Sequence, residues 1–263
     1  MSAAPAPRPT PPGGVRRVRE EATGTFPLWT HPEWTRRHPW LVQGTTGRAG
    51  DGLDMGLFGE VAVATALGRW RALREATGLP TALHARQVHG ARVLWHADLP
   101  AGLLVADDSD GHATRQAGVL LTVSVADCVP ISLVDPVRRA IALLHGGWRG
   151  VATGILEAGI AALDGGAGST ARDLELHCGP AICGACYQVG AEVPTELGLD
   201  RGPTDRMQLD LRAVIAERGL RAGIPAARIT LSAHCTRCAE GAFWSHRAGC
   251  RERQLGVLGV RAA

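Results

Sequence analysis

Residues 119–150 read VLLTVSVADCVPISLVDPVRRAIALLHGGWRG, and this stretch decides the fold. Two runs rich in apolar and β-branched residues, 119–125 and 129–134, are interrupted only by Ala126-Asp127-Cys128. Asp135-Pro136 closes the second run as a turn, and residues 140–144 make a third apolar run. Runs of this length and composition, bounded by turn residues, read as buried strands. Beyond His145-Gly146-Gly147 the pattern changes to a helix, expected from about 151 to 163 and closed by Gly165-Gly166.

The same reading extends outward. Val63, Ala66, Leu67, Trp70 and Leu73 recur at helical spacing within residues 60–77, and Gly78 is placed to cap that helix. Residues 83–88 and 92–95 read as short strands around a His89-Gly90 turn. Downstream, 210–218 reads as a helix with Leu211, Val214 and Ile215 on one face, and 229–232 and 254–260 read as final strands. Strands and helices mix without strict βαβ alternation, no repeat is evident, and no low-complexity linker interrupts residues 40–263. The expected fold is one α/β domain of layered, mixed β-sheets with flanking helices, spanning residues 21–263. Residues 1–20, with a proline-rich start and Arg16, Arg17 and Arg19, read as a disordered tail.

Composition narrows the function. The chain has 263 residues, 45% hydrophobic and 20% charged, enough for a sizeable core. Every one of the 28 basic residues is arginine, which excludes a P-loop, pyridoxal-phosphate or kinase lysine. A net charge of +3 is too small to argue for nucleic acid, and no apolar run is long enough for a membrane span. Seven cysteines with no signal-peptide h-region point to a reducing cytoplasm and to thiol or metal chemistry.

Three segments place a metal-capable side chain at the end of a buried strand: Gln87-Val88-His89-Gly90, Ala126-Asp127-Cys128-Val129-Pro130 and His145-Gly146-Gly147-Trp148-Arg149-Gly150. Two imidazoles and a thiolate make a three-ligand set for zinc with a fourth position open. Taken singly, each residue has an ordinary alternative, a packed cysteine or a histidine bonded to backbone. Gly146 and Gly147 permit close backbone approach to a ligand. With Arg149 and the amides of the following helix they form a candidate phosphate site, the alternative being a plain strand–turn–helix connection.

QVHG (87–90), ADCVP (126–130), HGGWRG (145–150) and CGPAICGACYQVG (178–190), in that order, resemble the YfiH-like laccase-domain family. Its members are also called polyphenol oxidases or purine nucleoside phosphorylases. Ser109-Asp110-Gly111, Cys235-Thr236 and FWSHR (243–247) extend the resemblance over roughly residues 40–260. Two stretches depart from the family pattern: Asp54 stands where Asn is usual, and Ala248-Gly249-Cys250 replaces the Arg-Asp-Gly that often follows the aromatic–Ser–aromatic–Arg motif.

The resemblance implies an α/β/β sandwich similar to the catalytic domain of cytotoxic necrotizing factor, and zinc held by His89, Cys128 and His145. It implies phosphorolysis of adenosine, inosine and related purine nucleosides, with associated adenosine deamination. Cys128 and His145 would be catalytic, with Asp127 and Asp110 as candidates for proton transfer or sugar contacts. Asp127 could equally orient a ligand histidine. Arg149, Gly146 and Gly147 would meet phosphate.

Three rival readings use other chemistry. Copper-dependent polyphenol oxidation is weakened because no methionine lies beside a motif and no His-x-His pair exists. A metal-free Cys128–His145 dyad could cleave amides, including peptidoglycan precursors, but has no need of His89. A structural metal module could use the pairs Cys183/Cys186 and Cys235/Cys238, although 48 residues separate them, and packed thiols are the simpler reading.

Overall fold

The computed structural model describes residues 12–48, 52–200, 205–238 and 241–262. Two seven-stranded sheets stack against each other. The first runs, in spatial order, Arg16–Val18, Ile229–Ser232, Glu175–Cys178, Val129–Asp135, Ala140–Gly146, Gly111–Thr114 and Val93–His96. The second runs Glu21–Thr23, Leu28–Thr30, Leu41–Thr46, Gln254–Val260, Val119–Val125, Thr81–Ala85 and Gly102–Ala106. Parallel and antiparallel pairs occur in both, so the layered α/β domain of mixed sheets is the observed architecture.

The apolar runs at the centre follow from the layering. In Ala140–Gly146, Ala140, Ala142 and Leu144 pack with Ile155, Leu156 and Leu163 of the helix Ile155–Ala167. The alternate residues Ile141 and Leu143 pack with Leu121, Val123 and Leu258 of the second sheet. On the far side of that sheet, Leu120, Ala82 and Val257 meet Trp70 and Leu73 of the helix Val63–Thr77. A strand covered on both faces has no polar side to show, which is why period two is hidden in its sequence.

The interruption at Ala126-Asp127-Cys128 is where the chain leaves one sheet for the other. Val119–Val125 pairs with Gln254–Val260 in the second sheet, whereas Val129–Asp135 pairs with Ala140–Gly146 in the first. Asp127 makes the corner with φ +84, a left-handed conformation uncommon for a residue other than glycine.

Several expectations are corrected. Residues 12–20 are part of the fold rather than a tail: Arg16–Val18 pairs in parallel with Ile229–Ser232, and Val15, Val18 and Glu20 are buried. Partners more than 200 residues away supply those hydrogen bonds, so local composition cannot reveal them; residues 1–11 lie outside the described residues. The helix expected at 151–163 is two helices, Trp148–Ala152 and Ile155–Ala167, separated by Gly154 at φ +94. Strands Leu41–Thr46 and Gly111–Thr114 escaped notice because their buried faces carry polar residues bonded inside the protein. Gln43 accepts from the His31 amide at 3.0 Å, and Thr114 Oγ1 donates to the His96 carbonyl at 2.8 Å.

Three histidines are buried in the neutral state. His31 caps the helix Pro32–Arg37, its Nδ1 accepting from the Trp34 amide at 3.3 Å, while His84 Nδ1 lies 2.9 Å from Thr122 Oγ1. Burial above all lowers their pKa values from 6.5, to about 3 for His31, about 4 for His84 and about 3 for His112. A histidine depressed in the native state is protonated first in the unfolded chain. Its contribution is therefore intact above pH 6.5 and lost as pH falls from 6.5 toward 4. Each such group contributes up to about 1.4 kcal/mol per pH unit in that window. Urea midpoints should hold level from pH 7.5 to about 6.5 and fall from there to pH 5, and His84→Gln should flatten that fall. A slope unchanged in that variant would remove His84 from the account.

Candidate metal centre and cleft

His89, Cys128 and His145 converge from three points in the chain. His145 lies within Ala140–Gly146, paired opposite Pro130, and Cys128 immediately precedes the paired residue Val129. His89 follows the strand Thr81–Ala85, which lies beside Val119–Val125 in the second sheet. One nitrogen of each imidazole and the Cys128 sulfur lie within 4.8 Å of one another. A zinc ion takes nitrogen at about 2.0 Å and sulfur at about 2.3 Å, so ligands on one tetrahedron are about 3.3–3.8 Å apart. The donors fit such an ion with small rotamer adjustments.

The loop bearing His89 is held by Asp110. This fully buried carboxylate accepts from the amides of Val88 at 3.1 Å, His89 at 2.9 Å and Gly90 at 2.8 Å. Its Oδ1 also lies 2.9 Å from His145 Nδ1. A proton on Nδ1 leaves Nε2 with its lone pair for a metal, the usual support for a ligand imidazole. Gln87 ties the same loop to the neighbouring strand, accepting from the Ser124 amide at 2.6 Å and donating to its carbonyl at 2.9 Å. His89 itself has φ +60, so two of the three left-handed residues other than glycine among those described, His89 and Asp127, border the ligand set.

Burial raises the Cys128 pKa, but the charge of His145 and hydrogen bonds from His145 and His89 outweigh it and hold the thiol at about 6. Burial likewise lowers His145, and the thiolate with Asp110 more than reverses this, to about 9. Thiolate character is what both metal ligation and nucleophilic attack require.

Of the two aspartates, it is Asp110 that faces a histidine, and Asp127 has other partners. Asp110 has its oxygens committed to loop amides and His145, so it is a support rather than a sugar or phosphate contact. Asp127 orients no histidine through the bonds it makes. Its carboxylate accepts from Thr236 Oγ1 at 2.6 Å and the Arg247 amide at 2.7 Å, fastening the C-terminal FWSHR segment to the ADC corner.

The glycines and Arg149 also have different settings from those expected. A Cβ on Gly147 would stand 3.1 Å from His89 Cδ2 and 3.4 Å from Cys128 Sγ, so this glycine makes room for the ligands themselves. A Cβ on Gly146 would meet the Val129 carbonyl at 2.8 Å, within the strand pairing. Arg149 is exposed and lies over the Trp148 ring at 4.4 Å. Its helix, Trp148–Ala152, is only five residues long, too short for the anion site expected at its start.

The triad opens on a cleft of about 1080 Å³. His89, Cys128 and His145 line it, as do Arg86, Arg251, Arg253, Glu60 and Glu252; Arg149, Asp110 and Asp127 do not. Sequence reasoning missed the cleft's charged residues, although Arg251-Glu252-Arg253 directly before an apolar strand was an available signal. Asp54 explains one departure from the family pattern. Its Oδ1 accepts from the Gly56 and Arg253 amides, both at 2.9 Å, a task that Asn Oδ1 performs equally well.

With this geometry in place, likeness to known proteins is informative. The family model described as multi-copper polyphenol oxidoreductase laccase matches residues 44–261. The chain belongs to that family. A purine nucleoside phosphorylase from Xylella fastidiosa (strain Temecula1) is 31% identical over 91% of this chain and 98% of its own. An adenosine deaminase, RL5, from an unknown prokaryotic organism is 33% identical over 62% of this chain and 68% of its own. The crystal structure of YlmD from Geobacillus stearothermophilus superposes with a TM-score of 0.80 at 28% identity, covering 94% of this chain and 100% of that one. Bacillus licheniformis YfiH gives the same TM-score at 23% identity, covering 92% and 99%, and so supports the fold. For this laccase-family chain the likeness of fold spans nearly the whole length. Among the described residues no helix is long and apolar enough to cross a membrane.

Proposed function

We propose that the chain is a zinc-dependent purine nucleoside phosphorylase whose metal is held by His89, Cys128 and His145. The observation that carries this reading is a three-donor set, supported by a buried carboxylate, opening on a cleft large enough for a nucleoside and phosphate. The full-length likeness to a purine nucleoside phosphorylase supports the substrate class. Two imidazoles and one thiolate suit zinc with an open position; Met55 is sequestered in the core beside Trp70, away from the axial place a copper site favours.

When bound there, zinc supplies Lewis-acid polarisation of a substrate oxygen. Asp110 keeps the proton of His145 on Nδ1, and Gln87 and Gly147 fix the approach of His89 to the sulfur. Lining of the cleft by Arg251 and Arg253, and not by Arg149, supports those two as the phosphate ligands in this reading. Arg251 pairs with Glu60 at 3.0 Å with both side chains largely exposed, a weak bond that an incoming phosphate can replace. Glu60 and Glu252 offer acceptors for ribose hydroxyls. The likeness to RL5 supports adenosine deamination as a second activity at the same centre; the chain's one His-x-Glu, His31-Pro32-Glu33, caps the helix Pro32–Arg37 and is not part of the triad, so the proton donor would differ from that of ordinary zinc deaminases.

Incubation of inosine and adenosine with and without phosphate tests this directly. Free base with ribose 1-phosphate should form only when phosphate is present, and adenosine should also yield inosine. Base release independent of phosphate would make the enzyme a hydrolase; turnover of an amide-linked cell-wall precursor alone would favour the Cys128–His145 dyad. Arg251→Ala should raise the KM for phosphate about tenfold, the lower range for a charge-assisted hydrogen bond. Arg149→Ala should leave that constant near the wild-type value. The opposite pattern would return phosphate to Arg149.

A further inference from the structure

Seven cysteines are present and only Cys128 belongs to the triad; four of the others meet elsewhere. The pairs Cys183/Cys186 and Cys235/Cys238 follow Glu175–Cys178 and Ile229–Ser232, which are parallel neighbours in the first sheet. Parallel strands deliver their following loops to the same sheet edge. A bridge between Ala181 and Cys235 and a 3.2 Å bond from the Thr236 amide to the Ala181 carbonyl keep those loops in register. The pairing removes the objection raised by the long sequence separation.

We propose that Cys183, Cys186, Cys235 and Cys238 form a second metal site, a tetrathiolate zinc. All four sulfurs lie within 4.8 Å of one another, with Cys186 and Cys238 3.2 Å apart and Cys183 and Cys238 3.9 Å apart. A tetrahedral zinc with bonds of about 2.3 Å needs sulfurs separated by about 3.8 Å. The Cys183 and Cys238 amides donate to Cys235 Sγ at 3.2 and 3.4 Å, as donors do around a ligating thiolate. Core packing accounts for only part of the cluster: Cys183 and Cys235 are buried, but Cys186 is half-buried and Cys238 is exposed. Four protein donors fill the coordination sphere, so the site is structural rather than catalytic.

Its position gives it a purpose. Thr236, between the second pair, donates to the Asp127 carboxylate at 2.6 Å, and the amide of Ile182, beside the first pair, donates to the Asp127 carbonyl at 3.1 Å. Both loops thus grip the residue preceding Cys128. The tetrathiolate zinc fastens them together and so positions the ADC corner.

The test is metal content of full-length protein, produced with zinc and purified under reducing conditions without chelator, read by elemental analysis and native mass spectrometry. Wild type should hold two zinc ions per chain. Cys235→Ser and, at the exposed edge where folding is least at risk, Cys238→Ser should each hold one, as should Cys128→Ala; Cys128→Ala with Cys238→Ser should hold none. Cobalt loaded into Cys128→Ala should show the intense visible bands of a tetrathiolate, and Cys238→Ser should abolish them. Two zinc ions retained in Cys238→Ser, iron in place of zinc, or a single-zinc wild type whose Cys238→Ser variant loses none would overturn the proposal. This outcome is independent of nucleoside turnover and of the triad metal, which Cys128→Ala reads separately.

Discussion

Cys128→Ala is expected to abolish zinc binding at the triad and to lower nucleoside phosphorolysis by at least about 10²–10³-fold, the cost of removing one preorganised charge-stabilising group. The sulfur is the only anionic donor among the three ligands, and two neutral imidazoles hold zinc far more weakly. The fold should survive, because Cys128 sits at the corner between sheets and most of the core lies in layers to either side. Circular dichroism and the thermal midpoint would therefore stay near wild type while turnover collapses. A variant that keeps turnover without metal would transfer the chemistry to residues outside the triad. His89→Ala then separates the remaining alternatives, since a Cys128–His145 dyad would tolerate its loss and a zinc centre would not.

Asp110→Ala should damage both stability and metal binding. The buried carboxylate satisfies three loop amides and faces His145 Nδ1, and alanine leaves all of these groups without their partner. Breaking a buried charged pair by removing one member costs about 3–5 kcal/mol, which in a chain of this size lowers Tm on the order of 10 °C. Metal affinity should fall about 10–100-fold, as when the group orienting a ligand histidine is lost. Asp110→Asn retains an acceptor oxygen but no charge, so it should recover part of the stability while metal affinity stays reduced. Calorimetry and zinc titration of both variants check this, and wild-type zinc affinity in Asp110→Ala would show that His145 is oriented by its packing alone.

The candidate metal ligands were legible because each lies in a short motif. His89, Cys128 and His145 could be named from type and spacing, and the structure brings them together. Their supports were harder to read. Asp110 and Asp127 are both acidic residues in motifs, and nothing local says which one faces a histidine; that depends on the register of Gly111–Thr114 against Ala140–Gly146. The sequence favours Arg149 because it lies four residues after His145, yet the chain turns at Gly147 and the side chain emerges over Trp148.

Local periodicity determined the central strands, the helix Val63–Thr77 and the final strand Gln254–Val260, because alternation or continuity of apolar residues is a property of neighbours. Tertiary structure alone decided that Arg16–Val18 is a strand, that the chain changes sheets at Asp127, and that two cysteine pairs 48 residues apart face one another. Each of these depends on backbone hydrogen bonds to partners far along the chain, whose free energy appears only when the sheets assemble. No window of sequence contains both members of such a pair.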